Sequence, residues 1–331
     1  MAAFEIRTDL ALENTEKFKR DNVEIKGVEI HETYQEDLEL TETVVKIVDA
    51  HGAKAMGKPE GTYITMESPY LLGNNKEIHK KISQALSEHL QQVLGKANRK
   101  SMLVIGLGNS DITPDALGPI AVSHLQINRH LTEQKENQKE QNVLSSLTPG
   151  VMAQTGMETM EIVRGVVKET KPDVILVVDA LAARSMYRVN RTIQITDTGI
   201  NPGSGVGNHR AGITKETLGI PVIAIGVPTV VDAATIVRDT MESMMDNMEN
   251  LEPTEKYEVL NQMIAPHLYG MFVTPKDIDE TIARLGLLIS EALNILFAEN
   301  VKASTEDVEA STEDVVVSTE DEEAPKQNEE T

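Results

Sequence analysis

The 331-residue sequence contains no cysteine and no tryptophan, and only 3% of its residues are aromatic. Without cysteine the chain forms no disulfide bond, no zinc site with thiolate ligands and no cysteine nucleophile. The N-terminus lacks the apolar stretch of a signal peptide, and no apolar run approaches the ~20 residues that a membrane span needs. We therefore expect a cytoplasmic protein without a membrane segment.

Basic residues are also scarce. The sequence has 31 Lys and Arg and 53 Asp and Glu, which gives a formal net charge of −22. Twelve acids and two lysines between Glu299 and Thr331 account for −10 of this charge and leave −12 for residues 1–298. Since nucleic-acid phosphates bind Lys and Arg, the acidic balance argues against direct binding of nucleic acid.

The apolar pattern predicts a large α/β domain over residues 6–298. Short runs with near-alternating apolar residues predict an antiparallel, β-rich extension over 22–70. Beyond it, buried strands alternate with amphipathic helices, which predicts parallel pairing and a three-layer α/β/α sandwich of the phosphorylase or hydrolase type. The first of these helices has Ile78, Ile82, Leu86, Leu90 and Val93 on one face.

Three further segments are predicted from composition and pattern. Residues 115–131 indicate one helix that tolerates Pro119 in its first turn. Residues 130–146 are mostly polar and indicate a long surface loop. The repeats of Ser, Thr, Asp and Glu in 299–331 predict a disordered acidic tail, because such residues cannot offset the entropy of ordering.

Two carboxylates follow apolar strands of the predicted sheet. Asp115 comes a short turn after the strand at 102–107, and Asp179 ends the strand at 174–179. In open α/β sheets, sites form beyond the carboxyl ends of the strands, so neighbouring strands would bring both acids into one crevice. Two close carboxylates share a proton, which allows one to activate water and the other to protonate a leaving nitrogen. This pair predicts peptide hydrolysis without cysteine, serine or metal.

Other interpretations of these residues remain open. Each aspartate could simply cap a helix or a strand end. The glycine loop at 106–109 could cradle phosphate, as in a nucleoside phosphorylase-like enzyme, although Asp111 stands where the dinucleotide fingerprint requires its third glycine. Phosphate binding would need Arg184 or Arg210. A protein that has kept the fold only for assembly is a third alternative.

No motif predicts a metal or another cofactor. None of the eight histidines forms H-x-x-x-H or H-E-x-x-H. His209 lies in a glycine-rich loop and would be the first candidate ligand if a metal took part. Serine catalysis is disfavoured because no serine lies in G-x-S-x-G.

Five stretches, in order along the chain, resemble the germination proteases of endospore-forming bacteria, and the similarity extends from about residue 6 to 297. They are IRTDLALE (6–13), VIGLGNSDITPDALGP (104–119), DALAARS (179–185), GIPVIAIGVPTVVDA (219–233) and MFVTPKDID (271–279). The second stretch also resembles the first motif of hydrogenase maturation endopeptidases, which carry an acid at the place of Asp115 and recognise a metal ion bound to their substrate.

The resemblance implies an atypical aspartic endopeptidase with a fold like that of the maturation enzymes. It implies degradation of the small acid-soluble proteins of the spore core, a homotetramer, and no membrane or direct nucleic-acid partner. The family's two proposed catalytic aspartates fall on Asp115 and Asp179. The residues that we expect to support the pair are Gly106, Gly108, Asn109, Thr113, Gly118 and Arg184.

Family members are made as zymogens that lose a short N-terminal propeptide by self-cleavage as the spore core acidifies. Here only residues 1–5 precede the first motif, and the predicted processing point lies near Phe4–Glu5. We expect this possible propeptide to contribute little, because so short a segment covers little surface. The segment after the helix that follows 219–233 is shortened relative to the family, to residues 247–260, and the acidic repeats at the C-terminus are an addition to it.

Overall fold

The computed structural model describes residues 8–20, 25–95, 100–132, 142–203, 211–246, 268 and 270–317. Within this part of the chain the strands are β1 (Val28–Gln35), β2 (Leu40–Ile47), β3 (Gly61–Glu67), β4 (Ser101–Gly106), β5 (Val143–Leu147), β6 (Val174–Ala183), β7 (Thr192–Thr196), β8 (Val222–Asp232) and β9 (Phe272–Val273). The α-helices are α1 (Ala11–Arg20), α2 (Ala50–Met56), α3 (Lys76–Leu94), α4 (Leu117–Ser123), α5 (Arg129–Thr132), α6 (Met152–Thr155), α7 (Thr159–Thr170), α8 (Lys215–Leu218), α9 (Ala233–Asp246) and α10 (Ile278–Val317).

The strands form one mixed sheet in the order β1-β2-β3-β7-β8-β6-β4-β5, and β9 pairs with β8. β5, β4, β6 and β8 are mutually parallel, whereas β1, β2, β3 and β7 pair antiparallel with their neighbours. The parallel half confirms the predicted parallel pairing, and the first three strands confirm the antiparallel extension. Because β3 pairs with β7, the extension continues the main sheet.

Helices cover both faces of the sheet, which confirms the three-layer prediction. On one face, α3, α4 and α10 pack on the strands, and Leu86 of α3 is fully buried there. On the other face, α7 buries Val163 against β4 and β6. Along β6, Leu176 belongs to the first of these apolar layers and Val177 to the second, because successive side chains of a strand point to opposite faces.

Helix α10 extends further than the composition predicts. Its backbone is helical to Val317 and so includes residues 299–317 of the tail, while 318–331 lie outside the described residues. A helix already nucleated and packed at Ile278 adds one hydrogen bond for each further residue, which composition alone does not capture. Its first 21 residues have a mean hydropathy of 1.5 and are long and apolar enough to span a membrane, although 56% of that stretch is buried in the fold.

Two other local predictions need correction. The helix predicted over 115–131 is interrupted, because a 3-10 turn at Thr113–Asp115 precedes α4, and α4 ends at Ser123 before α5 begins. The segment predicted as a surface loop over 130–146 contributes β5, which pairs in parallel with β4. Edge strands are short and carry polar residues, so their pattern resembles that of a loop.

Candidate active site

The candidate site lies where β4 ends beside β6. The ladder between these adjacent parallel strands runs from Met102–Val174 to Gly106–Val178, and the chain of β4 then turns away. Asp179 is the next residue of β6 beyond that ladder, and Asp115 follows β4 through its loop. Both aspartates line one cavity of about 1190 Å³, at the carboxyl ends of the parallel strands.

The loop after β4 closes tightly around the backbone of Asp115. The Asn109 N–H donates to the Asp115 carbonyl oxygen at 3.1 Å, and the Asp115 N–H donates to the Ile112 carbonyl at 2.8 Å. Gly108 has φ +112°, and a Cβ built there would lie 1.9 Å from the Asp115 carbonyl oxygen. This position therefore requires glycine both for its conformation and for the close approach of the loop.

Gly106 and Gly118 bring helix α4 against the end of β4. A Cβ on Gly106 would lie 2.3 Å from the Gly118 carbonyl oxygen, and one on Gly118 would lie 2.3 Å from the Leu107 carbonyl oxygen. The Leu107 N–H donates to the Val178 carbonyl of β6 at 2.8 Å. These contacts fix the loop that carries Asp115 to the strand that carries Asp179.

Asp179 lies inside β6, whereas the sequence predicts that it ends the strand. β6 continues to Ala183 because its other edge remains paired with β8, where Asp179 is opposite Gly226. Asp179 is 7% exposed, and its Oδ1 accepts the Ala180 N–H at 2.9 Å. Asp179 is thus the first residue of β6 that no longer pairs with β4.

The other predicted supporting residues have different surroundings. Asn109 Oδ1 accepts the N–H of Asp111 at 3.0 Å and the amide of Gln154 at 2.9 Å, so its side chain organises the loop. The Thr113 carbonyl accepts the Ala116 N–H and begins the 3-10 turn. Arg184 lies 3.7 Å from Asp239 and is not among the residues that line the cavity.

Arg210 and His209, which the phosphate and metal alternatives need, lie outside the described residues. Among the residues that the structure does describe, His, Asp and Glu side chains form no group of three that could hold a metal ion.

An N-terminal segment, defined here as residues 8–20, forms part of the cavity wall, and sequence reasoning did not assign it this place. Asp9 lines the cavity and pairs with Ala182 of β6: its N–H donates to the Ala182 carbonyl at 3.2 Å, and its Oδ2 accepts the Ala182 N–H at 3.0 Å. Gln194 of β7 binds the same segment through the Ala11 N–H at 2.7 Å and the Asp9 carbonyl at 3.2 Å.

Glu13 anchors this segment behind the cavity. Its side chain is fully buried and accepts the backbone N–H groups of Arg184 at 2.8 Å and Ser185 at 3.1 Å, and it also accepts the Thr8 hydroxyl. The Arg188 guanidinium lies 3.4 Å away. The carboxylate therefore ties α1 to the turn that follows β6.

Lys58 brings a positive charge to a cavity lined with carboxylates. It follows α2 and donates to the Asp9 carbonyl at 2.8 Å. The residue is half-buried, and desolvation lowers its pKa from 10.5, while Asp9 and Glu13 partly oppose that shift. A lone lysine in a glycine- and proline-containing turn gives no signal of such a place in the sequence.

Tyr63 supports the turn that carries Lys58. Its hydroxyl donates to the Pro59 carbonyl at 2.9 Å, and the ring is 2% exposed. Burial raises the pKa of Tyr63 from 10.0 to about 12, so the phenol remains a neutral donor at ordinary pH.

Comparison with known proteins adds independent information on this chain. A sequence model of the germination protease family matches residues 3–250. A germination protease of Caldanaerobacter subterraneus subsp. tengcongensis is 44% identical over 306 residues, covering 88% of this chain and 93% of the relative. Germination proteases of Clostridium perfringens and Clostridium tetani are 40% and 42% identical, and cover 90% and 88% of this chain and 97% and 94% of their own lengths.

Among solved structures, a [NiFe] hydrogenase maturation protease HycI from Thermococcus kodakarensis KOD1 is similar at 19% identity, with a TM-score of 0.29. The match covers 60% of this chain and 94% of that protein.

Proposed function

This chain belongs to the germination protease family, and from that premise we propose that it is an endopeptidase that uses Asp115 and Asp179 to hydrolyse small acid-soluble spore proteins. The observation that carries the proposal is that both aspartates line one cavity beyond the end of β4. Membership of a protease family supplies the reaction class, and the two acids supply chemistry suited to it.

The proposed mechanism requires the two carboxyl groups to approach each other within the cavity that both line. Like charges at close range favour a state in which one group is protonated. The ionised carboxylate accepts a proton from water as the oxygen attacks the peptide carbonyl, and the protonated carboxyl donates its proton to the departing nitrogen. The two groups exchange roles during a turnover, and one proton is again shared at its end.

The two acids differ in their surroundings. Asp179 is 7% exposed, lies within β6 and accepts the Ala180 N–H, whereas Asp115 is half-buried on the loop. Burial disfavours ionisation of a carboxyl group and an accepted N–H favours it, so we assign the shared proton to the pair and not to either aspartate.

The cavity has room for an extended peptide. Its volume of about 1190 Å³ exceeds the roughly 300–1,000 Å³ of typical small-molecule pockets. Substrate identity, a homotetrameric assembly and residence in the cytoplasm of the forespore and the spore core are proposed on the family relationship. Light scattering of the purified protein tests the assembly directly.

The central experiment compares Asp115→Asn and Asp179→Asn with the wild-type protein, using a purified small acid-soluble spore protein as substrate and mass spectrometry of the fragments. We expect each substitution to lower kcat by ~10²–10⁴-fold with little change in melting temperature, because asparagine keeps the shape but cannot exchange the proton. Asp111→Asn is the matched control, since Asp111 is an exposed acid on the same loop.

Two outcomes would contradict the proposal. Turnover near the wild-type value in either variant would remove that aspartate from the mechanism. A large loss of stability in Asp115→Asn or Asp179→Asn, with full activity per folded molecule, would instead indicate that the acid only caps its loop or strand.

A further inference from the structure

Lys58 is a half-buried lysine in the wall of the cavity that Asp115 and Asp179 line. Its ammonium group donates to the Asp9 carbonyl at 2.8 Å, and desolvation lowers its pKa. Partial burial of a charge has a cost that an apolar residue of similar volume does not have. Packing alone therefore does not account for a lysine at this position.

Contacts on both sides of Lys58 fix the backbone from which its ammonium group extends toward Asp9. The turn begins at Gly57, the left-handed C-cap of α2, with φ +61°. The Lys58 N–H donates to the Ala53 carbonyl at 3.3 Å, and the Tyr63 hydroxyl holds the next carbonyl, that of Pro59. The lysine backbone is thus fixed on both sides, and its side chain points its charge at Asp9.

Two successive hydrogen-bonded contacts connect Lys58 to β6, the strand that carries Asp179. Nζ donates to the Asp9 carbonyl at 2.8 Å. Asp9 in turn makes paired hydrogen bonds with both backbone groups of Ala182, three residues after Asp179 on β6. β6 has a register irregularity between Leu181 and Ala182, so the regular ladder with β8 does not by itself fix this stretch.

We propose that Lys58 is a positioning residue for peptide hydrolysis, which holds Asp9 and through it the stretch of β6 that follows Asp179. This inference rests on the proposed function, because it concerns the geometry of the same aspartate pair. Gln194 also donates to the Asp9 carbonyl, at 3.2 Å, so loss of the lysine weakens the link without removing it.

The test replaces Lys58 by methionine, which keeps the length and removes the charge and the donor. We expect kcat to fall by ~10–100-fold, because a misplaced catalytic group can cost about 10²-fold, while KM stays within about twofold. The melting temperature should be unchanged or higher, since the desolvation cost is removed. Lys54→Met is the matched control, because Lys54 is an exposed lysine of α2.

Conservative and chemical rescue separate positioning from a general structural role. Lys58→Arg should retain more activity than Lys58→Met, and methylammonium should raise the kcat of Lys58→Ala but not that of the wild-type protein. These two measurements also decide the question if Lys58→Met fails to fold. An arginine variant no better than the methionine one, together with no rescue by the amine, would overturn the proposal.

A second readout needs no catalysis. In hydrogen exchange, the amides of residues 8–13 and 180–183 should exchange faster in Lys58→Met than in the wild-type protein or in Lys54→Met. If the wild-type protein does not cleave the spore protein, the proposed function fails, and exchange alone still decides whether Lys58 holds this link. Unchanged exchange together with wild-type kcat in Lys58→Met would show that the lysine positions nothing.

Discussion

We expect the substitution Glu13→Gln to lower the free energy of unfolding by about 3–5 kcal/mol. The Glu13 carboxylate accepts two backbone N–H groups, at 2.8 and 3.1 Å, and is fully buried. Glutamine offers one acceptor oxygen, so one N–H of Arg184 or Ser185 would face an NH₂ group. A hydrogen bond to a charged group contributes about 1.5–3 kcal/mol, and an unsatisfied buried donor costs about 1–3 kcal/mol.

The substitution Glu13→Gln also removes the negative charge that lies 3.4 Å from the Arg188 guanidinium. That guanidinium keeps Glu67 as a second partner at 2.8 Å, so it is not left buried without a carboxylate, and the estimate stays within the range for a broken buried pair. For a domain of this size, about 2 °C per kcal/mol predicts a fall in Tm of about 6–10 °C.

Urea unfolding followed by circular dichroism measures this free energy, provided that the slope of the transition is unchanged. Glu67→Gln is the matched control, because Glu67 binds the same arginine but its side chain is 26% exposed, which predicts a cost of at most about 1 kcal/mol. Equal destabilisation by the two substitutions, or less than about 1 kcal/mol for Glu13→Gln, would refute the view that buried hydrogen bonds to Glu13 anchor the N-terminal segment.

Two further substitutions test the loop of Asp115 and the turn of Lys58. Gly108→Ala should abolish most of the activity and lower the Tm, because its Cβ would lie 1.9 Å from the Asp115 carbonyl oxygen. Gly156→Ala is the control: Gly156 also has positive φ, but a Cβ there would meet no heavy atom within 4 Å. This control should lower the free energy of unfolding by only about 1–2 kcal/mol and leave kcat unchanged. Tyr63→Phe should lessen the alkaline loss of stability: with a pKa of about 12 in the folded state and 10.0 when exposed, the unfolded state ionises first, so this tyrosine lowers stability from pH 10 to 12 in the wild-type protein and makes no such contribution in the variant. Equal activity and Tm for the two alanine variants, or equal alkaline curves for tyrosine and phenylalanine, would contradict these expectations.

Elements with a strong period were predictable from the sequence. The face of α3 follows from apolar residues three and four apart, and Ile82, Leu86 and Leu90 are buried as that pattern indicates. β1 to β3 follow from short alternating runs. The parallel half follows from strands alternating with helices, since such strands need a crossover connection.

Elements that depend on tertiary pairing were not predictable in the same way. The extension of β6 past Asp179 to Ala183 depends on β8 lying alongside, which a local pattern does not contain. The short strand β5 depends on β4 in the same way. The helical backbone of 299–317 depends on a helix nucleated before it, whereas its composition taken alone is typical of disorder.

The residues of the candidate site lie far apart in the sequence, so the spacing between them does not show which of them meet in the fold. Asp115 and Asp179 could be proposed because each follows an apolar run, and strand ends in α/β sheets are a known location for sites. Asp9 and Lys58 stand next to no such run, and only the fold brings them to the cavity of the two aspartates. Their contact is a hydrogen bond to a backbone carbonyl, which any residue supplies, so no residue type marks it in the sequence.

The polar face of β7 explains how a site assembled from distant parts of the chain is compatible with a stable fold. Thr192, Gln194 and Thr196 alternate with Ile193 and Ile195, a pattern typical of a strand with one solvated face. In the fold all five residues are buried, because the polar side faces the N-terminal segment and the cavity. A segment held over polar residues is fixed by directional hydrogen bonds more than by apolar contact, so its position depends on a few donors and acceptors. Substitutions that remove single donors there should therefore change the geometry beside Asp179 before they unfold the domain.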